Sequence, residues 1–173
     1  MGRLTREERF EGIYQRDVDA VRAYVRRRAP ADVVDDVVAD TFVVCWRRLD
    51  RVPEIELPWL YAVARRVLAN ERRKRDRMAK AAVAGPAFVE PEAEGDAVLA
   101  AAFACLGERD REVLCLVAWE GLTLARAAAV LGCSRVACRV RFHRARRRLA
   151  AGLADREPTT VAAPRRRPEG ASR

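Results

Sequence analysis

The spacing of the apolar residues is the feature that most restricts how this chain can fold. From Phe10 onwards these residues recur every three or four positions, which is the period of an amphipathic helix with one buried face. No segment alternates β-branched and polar residues as a half-buried strand would. Helix-breaking residues interrupt the pattern, among them Pro30, Pro53, Gly121 and Gly132. The sequence therefore predicts an all-α protein built from several short helices.

The helical pattern fails in the middle of the chain, between residues 78 and 95. Helix-breaking residues accumulate there: Gly85, Pro86, Pro91 and Gly95. We interpret residues 78–95 as a flexible linker that joins two small helical domains, residues 7–77 and residues 96–155. Residues 156–173 are rich in Pro, Arg and small residues, which predicts a disordered tail.

The strongest local signal is a helix-turn-helix over residues 124–148 of the C-terminal domain. Thr123 and Ser134 are good cap residues at the starts of its two helices, and Gly132 permits the tight turn between them. The second helix carries arginines and no acidic residue over its basic stretch: Arg135, Arg139, Arg141, Arg144, Arg146, Arg147 and Arg148. Such a helix can enter the major groove, where guanidinium groups bind phosphates or guanine edges. A solvated basic helix is the alternative, although it would normally carry compensating glutamates.

A second basic cluster lies on the helix that begins near Pro58. It follows two aromatic residues, Trp59 and Tyr61, and consists of Arg65, Arg66, Arg72, Arg73, Lys74, Arg75 and Arg77. Cations beside aromatic rings suit parted DNA strands, because the charge follows the backbone and a ring can receive an unstacked base. Trp59 has a structural alternative, since a Trp at the start of an amphipathic helix is often a core residue. Trp46, on the preceding helix, is expected in the core.

Carboxylates share one face of the helix that is predicted to begin at the cap residue Asp32. Asp32, Asp36 and Asp40 are four residues apart, and Asp35 lies beside them. A set of hard-metal ligands for a nuclease is one interpretation, but no general base or nucleophile accompanies it. We favour a positively charged protein partner, and plain solvation of this face is the third interpretation.

The composition narrows the classes of function. The net charge of +9 favours a polyanionic partner such as nucleic acid or an acidic membrane surface. The five cysteines form no CxxC pair and there is one histidine, so we expect reduced core thiols, no metal site and no cofactor. No apolar run approaches the ~20 residues of a membrane span, and the N-terminus lacks the apolar core of a signal peptide. We therefore expect a cytoplasmic protein that is not membrane-bound.

Three segments together resemble the extracytoplasmic-function group of bacterial sigma factors, over about residues 10–153. Residues 34–42, followed by Trp46, are similar to the family's polymerase-binding segment. Residues 58–66, continuing to Arg73, are similar to the segment that reads and melts the minus-ten element. Residues 122–149 resemble its helix-turn-helix for the minus-thirty-five element.

The resemblance implies that the chain is not an enzyme, and it gives each group of residues a role. Core RNA polymerase would be bound at its β′ clamp helices by Asp35, Asp36, Asp40 and Phe42. The minus-ten element of promoter DNA would be bound by Trp59, Tyr61, Arg65, Arg66, Asn70 and Arg73. The minus-thirty-five element would be bound by Thr123, Ser134, Arg135, Arg139, Arg141 and Arg144. The C-terminal domain would also contact the β flap, and an anti-sigma protein is a further candidate partner.

The sequence departs from the family pattern at several DNA-facing positions. Arg66 stands where Asn is usual, Asn70 where Asp is common, and Val136-Ala137 replaces a frequent Gly-Thr in the recognition helix. These departures concern which promoter is read more than the function itself.

Two other functions stay open on the residues alone. One is a polymerase-independent helix-turn-helix regulator, which leaves the acidic face without a purpose, and the other is the metal-dependent nuclease.

Overall fold

The computed structural model describes residues 5–79 and 97–155, and every regular element in these two ranges is helical. The N-terminal half contains α1 (Arg6–Arg26), α2 (Val34–Arg47) and α3 (Glu56–Ala79). The C-terminal half contains α4 (Ala97–Ala104), α5 (Glu108–Ala118), α6 (Leu124–Leu131) and α7 (Arg135–Ala154). The prediction of an all-α fold is confirmed. The predicted tail and residues 80–95 of the predicted linker lie outside the described residues, while residues 78 and 79 belong to α3.

The three helices of the N-terminal half pack around a shared apolar core. The first helix begins with a capping box, in which the Thr5 hydroxyl accepts from the Glu8 amide and the Glu8 carboxylate accepts from the Thr5 amide. Ile13 and Val25 on its buried face belong to the same apolar core as Leu60 of α3, and α1 contacts both α2 and α3. Burial of such apolar surface is the main force that holds the three helices together.

The start of α2 differs from the prediction. Residues Ala31–Val33 form a 3-10 turn, and Val33 occupies the cap position with no side-chain cap bond. The Asp32 carboxylate instead accepts a hydrogen bond of 2.6 Å from Arg75 of α3. The prediction of Asp32 as cap is therefore wrong, because a guanidinium brought close by the tertiary fold takes the carboxylate.

The helix-turn-helix follows the local signals in the sequence. The Thr123 hydroxyl accepts from the Arg126 amide at 3.3 Å, and the Ser134 hydroxyl accepts from the Ala137 amide at 3.1 Å. Gly132 ends α6 in the left-handed region, at φ +65°, where a residue without a Cβ has no steric penalty. Ala128 of α6 is buried, and α6 packs directly against α7.

Two expectations about the core need correction. Trp46, expected in the core, is 36% exposed, with its ring against Phe10 and the Arg6 guanidinium. Cys45, Cys115 and Cys138 are buried as expected, but Cys105 is exposed and Cys133 is half-buried. Helix α4 is apolar on most of its surface, so its periodicity does not single out one buried face.

Candidate nucleic-acid and polymerase interfaces

The recognition helix α7 presents its arginines to solvent and its small residues to the core. Cys138 and Ala145 are fully buried, and Phe142 and Leu149 extend the same stripe. The predicted DNA-binding residues of this helix lie off that stripe: Arg135, Arg139 and Arg144 are exposed, and Arg141 is half-buried. The hydroxyls of Thr123 and Ser134 serve as helix caps, so each satisfies one backbone amide in the first turn of its helix.

The basic face of α3 presents two arginines, Arg65 and Arg66, whose side chains form no ion pair with any described residue. Further along the helix, Arg73 donates to the Asn70 side chain at 2.6 Å and to the carbonyl oxygen of Ala69. This bond orients the Asn70 amide, so the two residues act as one polar unit. Arg72 is engaged elsewhere, because it donates to Glu108 of α5 at 2.7 Å.

The two aromatic residues of the predicted minus-ten set are in different surroundings. Trp59 is half-buried and packs against the core. Tyr61 is 2% exposed and its ring stacks on Tyr24, with centroids 4.7 Å apart. Burial raises the pKa of Tyr61 to about 12, so its hydroxyl stays protonated. A base cannot reach the Tyr61 ring in this arrangement.

The acidic face of α2 points away from the core. Asp36 and Asp40 are exposed and have no ion pair within the described residues, whereas Asp35 is bound by Arg22. Val43, 43% exposed, lies one turn further along the same face. Phe42 is buried and its ring meets Tyr14 edge-on, so it supports the helix from beneath. The described residues contain no group of three or more His, Cys, Asp or Glu arranged to hold a metal ion.

The two halves of the described chain pack against each other through α3 and α6. A cavity of about 720 Å³ lies at this junction. It is lined from α3 by Arg65, Arg66, Asn70 and Arg73, and from the C-terminal half by Arg109 and Arg141, among others. The predicted minus-ten surface thus faces part of the recognition helix across one basic groove.

A buried cluster of charges fastens the junction, and it was not predicted from the sequence. Arg28 is 4% exposed; its Nε donates to Glu112 at 2.9 Å and its Nη1 donates to Glu120 at 3.0 Å. Arg27 also binds Glu120, and the Tyr24 hydroxyl donates to Glu112 at 3.0 Å. Burial alone would lower the pKa of Arg28, but Tyr24 and the two carboxylates outweigh it and raise the pKa. The guanidinium therefore remains charged in the interior.

No local signal in the sequence identifies this cluster. Arg27 is the C-cap of the amphipathic helix α1 and Arg28 follows it, and the C-terminus of a helix is a common position for solvated arginines. Their partners lie 84 to 93 residues further along the chain. Only the packing of the two halves reveals that these charges are paired.

Comparisons with known proteins give the family. Residues 97–149 match the model described as "Sigma-70, region 4". RNA polymerase sigma factor NccH of Alcaligenes xylosoxydans xylosoxydans is 32% identical over 142 residues, which cover 72% of this chain and 75% of the relative. ECF RNA polymerase sigma factor EcfG of Rhodopseudomonas palustris is 30% identical over 145 residues, 79% of this chain and 80% of the relative.

A solved structure agrees with these relatives. The structure of CnrH in complex with the cytosolic domain of CnrY is 29% identical to this chain, with a TM-score of 0.61. The match covers 86% of this chain and 89% of that chain. Among the described helices, none is both long enough and apolar enough to cross a membrane. This chain belongs to the RNA polymerase sigma factors, in their extracytoplasmic-function group.

Proposed function

We propose that this sigma factor binds core RNA polymerase through the acidic face of α2 and reads promoter DNA with two basic surfaces, one on each half of the chain. The observation that carries the proposal is the separation of charge: exposed carboxylates on α2, and exposed arginines on α3 and α7. The polymerase performs the covalent chemistry of transcription, and this chain supplies position and strand capture. The chain is proposed to act in the cytoplasm, where the polymerase and the promoter DNA are located.

The polymerase-binding surface is proposed to consist of Asp35, Asp36 and Asp40. Exposed carboxylates on one face favour a basic partner surface and speed its association. Within the part of the chain that the structure describes, Asp36 and Asp40 have no ion pair to break on binding, whereas Asp35 would exchange Arg22 for the partner. We propose that Phe42 supports this face from the core and that Val43 adds an apolar contact at its edge.

The minus-ten surface is proposed to lie on α3. Arg65 and Arg66 are exposed and form no ion pair with another described residue, so their guanidinium groups can bind the phosphates of a parted strand. The Asn70 and Arg73 pair offers a fixed set of polar groups. Trp59 is the aromatic residue with partial access to an unstacked base. A direct role for Tyr61 would require the core around Tyr24 to open.

The minus-thirty-five surface is proposed to lie on α7, entering the major groove from its N-terminal end. Arg135 and Arg139 lie in its first two turns, where base edges are within reach, and Arg144 lies further along, towards the DNA backbone. The N-termini of α6 and α7, which Thr123 and Ser134 cap, are proposed to face phosphates. Arg141 is the one member of this set that lines the groove between the halves.

The packed arrangement of the two halves must open for this function. The two promoter elements lie 25 base pairs apart by their names, which is about 85 Å of duplex at about 3.4 Å per pair. Arg66 and Arg141, which belong to different promoter surfaces, line a single cavity in the described arrangement. We propose that the halves separate on core polymerase, and that a protein of the anti-sigma kind holds them together.

Run-off transcription with purified core polymerase and a library of promoters tests the proposal. Initiation at a defined set of promoters, with protection of both elements only in the presence of polymerase, is the expected result. Protection by the free chain alone would favour a polymerase-independent regulator instead. Capture by core polymerase should weaken in the variant Asp36→Asn with Asp40→Asn. Asp19→Asn, which removes one exposed carboxylate from α1, should leave capture unchanged.

A further inference from the structure

The outermost ridge of the recognition helix begins with two apolar residues. At 100° per residue, Val136, Val140, His143 and Arg147 lie on the side of α7 opposite the buried stripe of Cys138 and Ala145. Val136 is 63% exposed and Val140 is 41% exposed. They are therefore the first side chains that a duplex in front of this helix would meet.

Two valines are an unusual choice for exposed positions on such a helix. β-Branched side chains lose rotamer freedom in a helix, so they do not favour its formation. Neither valine belongs to the apolar core or to the partly buried shell around it. Their neighbours on α7, Arg135 and Arg139, are exposed cations that suit phosphates and guanine edges. The charge of the helix thus identifies DNA as the occupant of this face.

The chemistry of the major groove limits what a valine can contact there. Most base edges present hydrogen-bond donors and acceptors, which a valine would desolvate without replacing. Thymine is the exception among the four bases, because its C5 methyl group projects into the groove as an apolar contact. A pair of valines one turn apart can therefore select thymines at neighbouring positions.

We propose that Val136 and Val140 read the C5 methyl groups of thymines in the duplex minus-thirty-five element. This inference rests on the proposed role of α7 in binding that element, and it adds the chemical group that is recognised. The arginines beside the two valines fix the register of the helix, and the valines make methyl groups part of the sequence preference.

Deoxyuridine tests the inference, since it differs from thymidine only by the missing methyl group. Promoters found by run-off transcription are rebuilt with deoxyuridine at single thymine positions of the minus-thirty-five element. With the wild-type chain, we expect transcription and holoenzyme affinity to fall about fourfold at one or two of these positions, the loss equivalent to one buried methyl group. Deoxyuridine in the spacer between the elements should have no effect.

Variants of the chain connect the methyl group to the side chain. Val136→Ala and Val140→Ala favour the helix, so they should fold, and each should abolish the deoxyuridine effect at its own position. Arg147→Ala on the same ridge should weaken binding to thymine and uracil templates equally.

Active transcription that is insensitive to deoxyuridine at every minus-thirty-five position would overturn the inference and leave the proposed function standing. A deoxyuridine effect that persists in both alanine variants would also overturn it. The absence of transcription from every thymine template would overturn both the inference and the proposed function.

Discussion

The effect of replacing a glycine in this chain depends on the backbone conformation at that position more than on the space around it. Gly132 and Gly12 illustrate this, because a Cβ added to either would meet no atom within 4 Å. The two differ in backbone: Gly132 lies at φ +65° at the turn of the helix-turn-helix, while Gly12 lies within α1. An added Cβ therefore has enough space at both sites, but it strains the backbone only at Gly132.

The two glycines predict opposite effects of the same substitution. Gly132→Ala should lower the free energy of unfolding by about 1 to 2 kcal/mol, the cost of the left-handed conformation for a residue with a Cβ. Gly12→Ala should raise it by about 0.4 to 1 kcal/mol, because alanine restricts the unfolded chain and favours helix. Chemical denaturation of the full chain measures both. Equal effects of the two substitutions would contradict the interpretation.

The buried thiols of two cysteines predict that the protein loses stability in alkaline solution. Burial raises the pKa of Cys115 from about 9 to about 12 and that of Cys45 to about 11. Each group therefore contributes its stabilisation fully below pH 9, and loses it as the pH rises towards the folded-state pKa. The melting temperature should fall steadily between pH 9 and pH 11. Cys115→Ala should flatten this decline, and a decline as steep as that of the wild type would contradict the prediction.

At the scale of elements, the sequence predicted what depends on neighbouring residues. Thr123, Gly132 and Ser134 act within one turn of their own positions, and the structure gives each the predicted conformation or bond. Asp32 and Trp46 depend on other helices, and there the prediction failed. Arg75 from α3 takes the Asp32 carboxylate, and Trp46 remains at the surface beside Arg6 and Phe10.

Replacing different arginines of α7 by alanine should have different effects on DNA binding. Arg139 is exposed and has no ion pair within the described residues, while Arg148 already binds Asp110 of α5. Arg139→Ala should weaken holoenzyme binding to the minus-thirty-five duplex by about 1 to 3 kcal/mol if it reads a base edge. Arg148→Ala should change this affinity less. Fluorescence anisotropy at several salt concentrations measures both, and a larger effect of Arg148→Ala would contradict the assignment of Arg139.

At the scale of the whole molecule, the sequence predicts two halves but carries no information on the contact between them. Arg28 and Glu112 lie 84 residues apart, and neither has a neighbour in sequence that marks it as a partner. Helical periodicity reports which face of a helix is buried, but it does not report which other helix covers it. Under the proposed function this contact matters, because it keeps the predicted promoter surfaces on one groove.

Removal of the carboxylates at the junction should separate the halves. Glu112→Gln with Glu120→Gln leaves Arg27 and Arg28 without their charged partners, and breaking a buried pair costs about 3 to 5 kcal/mol. The chain can avoid this cost by exposing both arginines to water, so opening is expected rather than unfolding. Small-angle X-ray scattering should show a larger radius of gyration, while circular dichroism shows unchanged helix content.

Glu71→Gln is the matched control for this experiment. Glu71 pairs with Lys74 and Arg75 on its own helix, so the substitution removes a carboxylate without touching the junction. The control should keep the radius of gyration of the wild type and its rate of association with core polymerase. The double variant should associate faster, because the opening that we propose to precede binding then costs less free energy. An unchanged radius of gyration in the double variant would show that apolar packing of α3 on α6 is enough to hold the halves together.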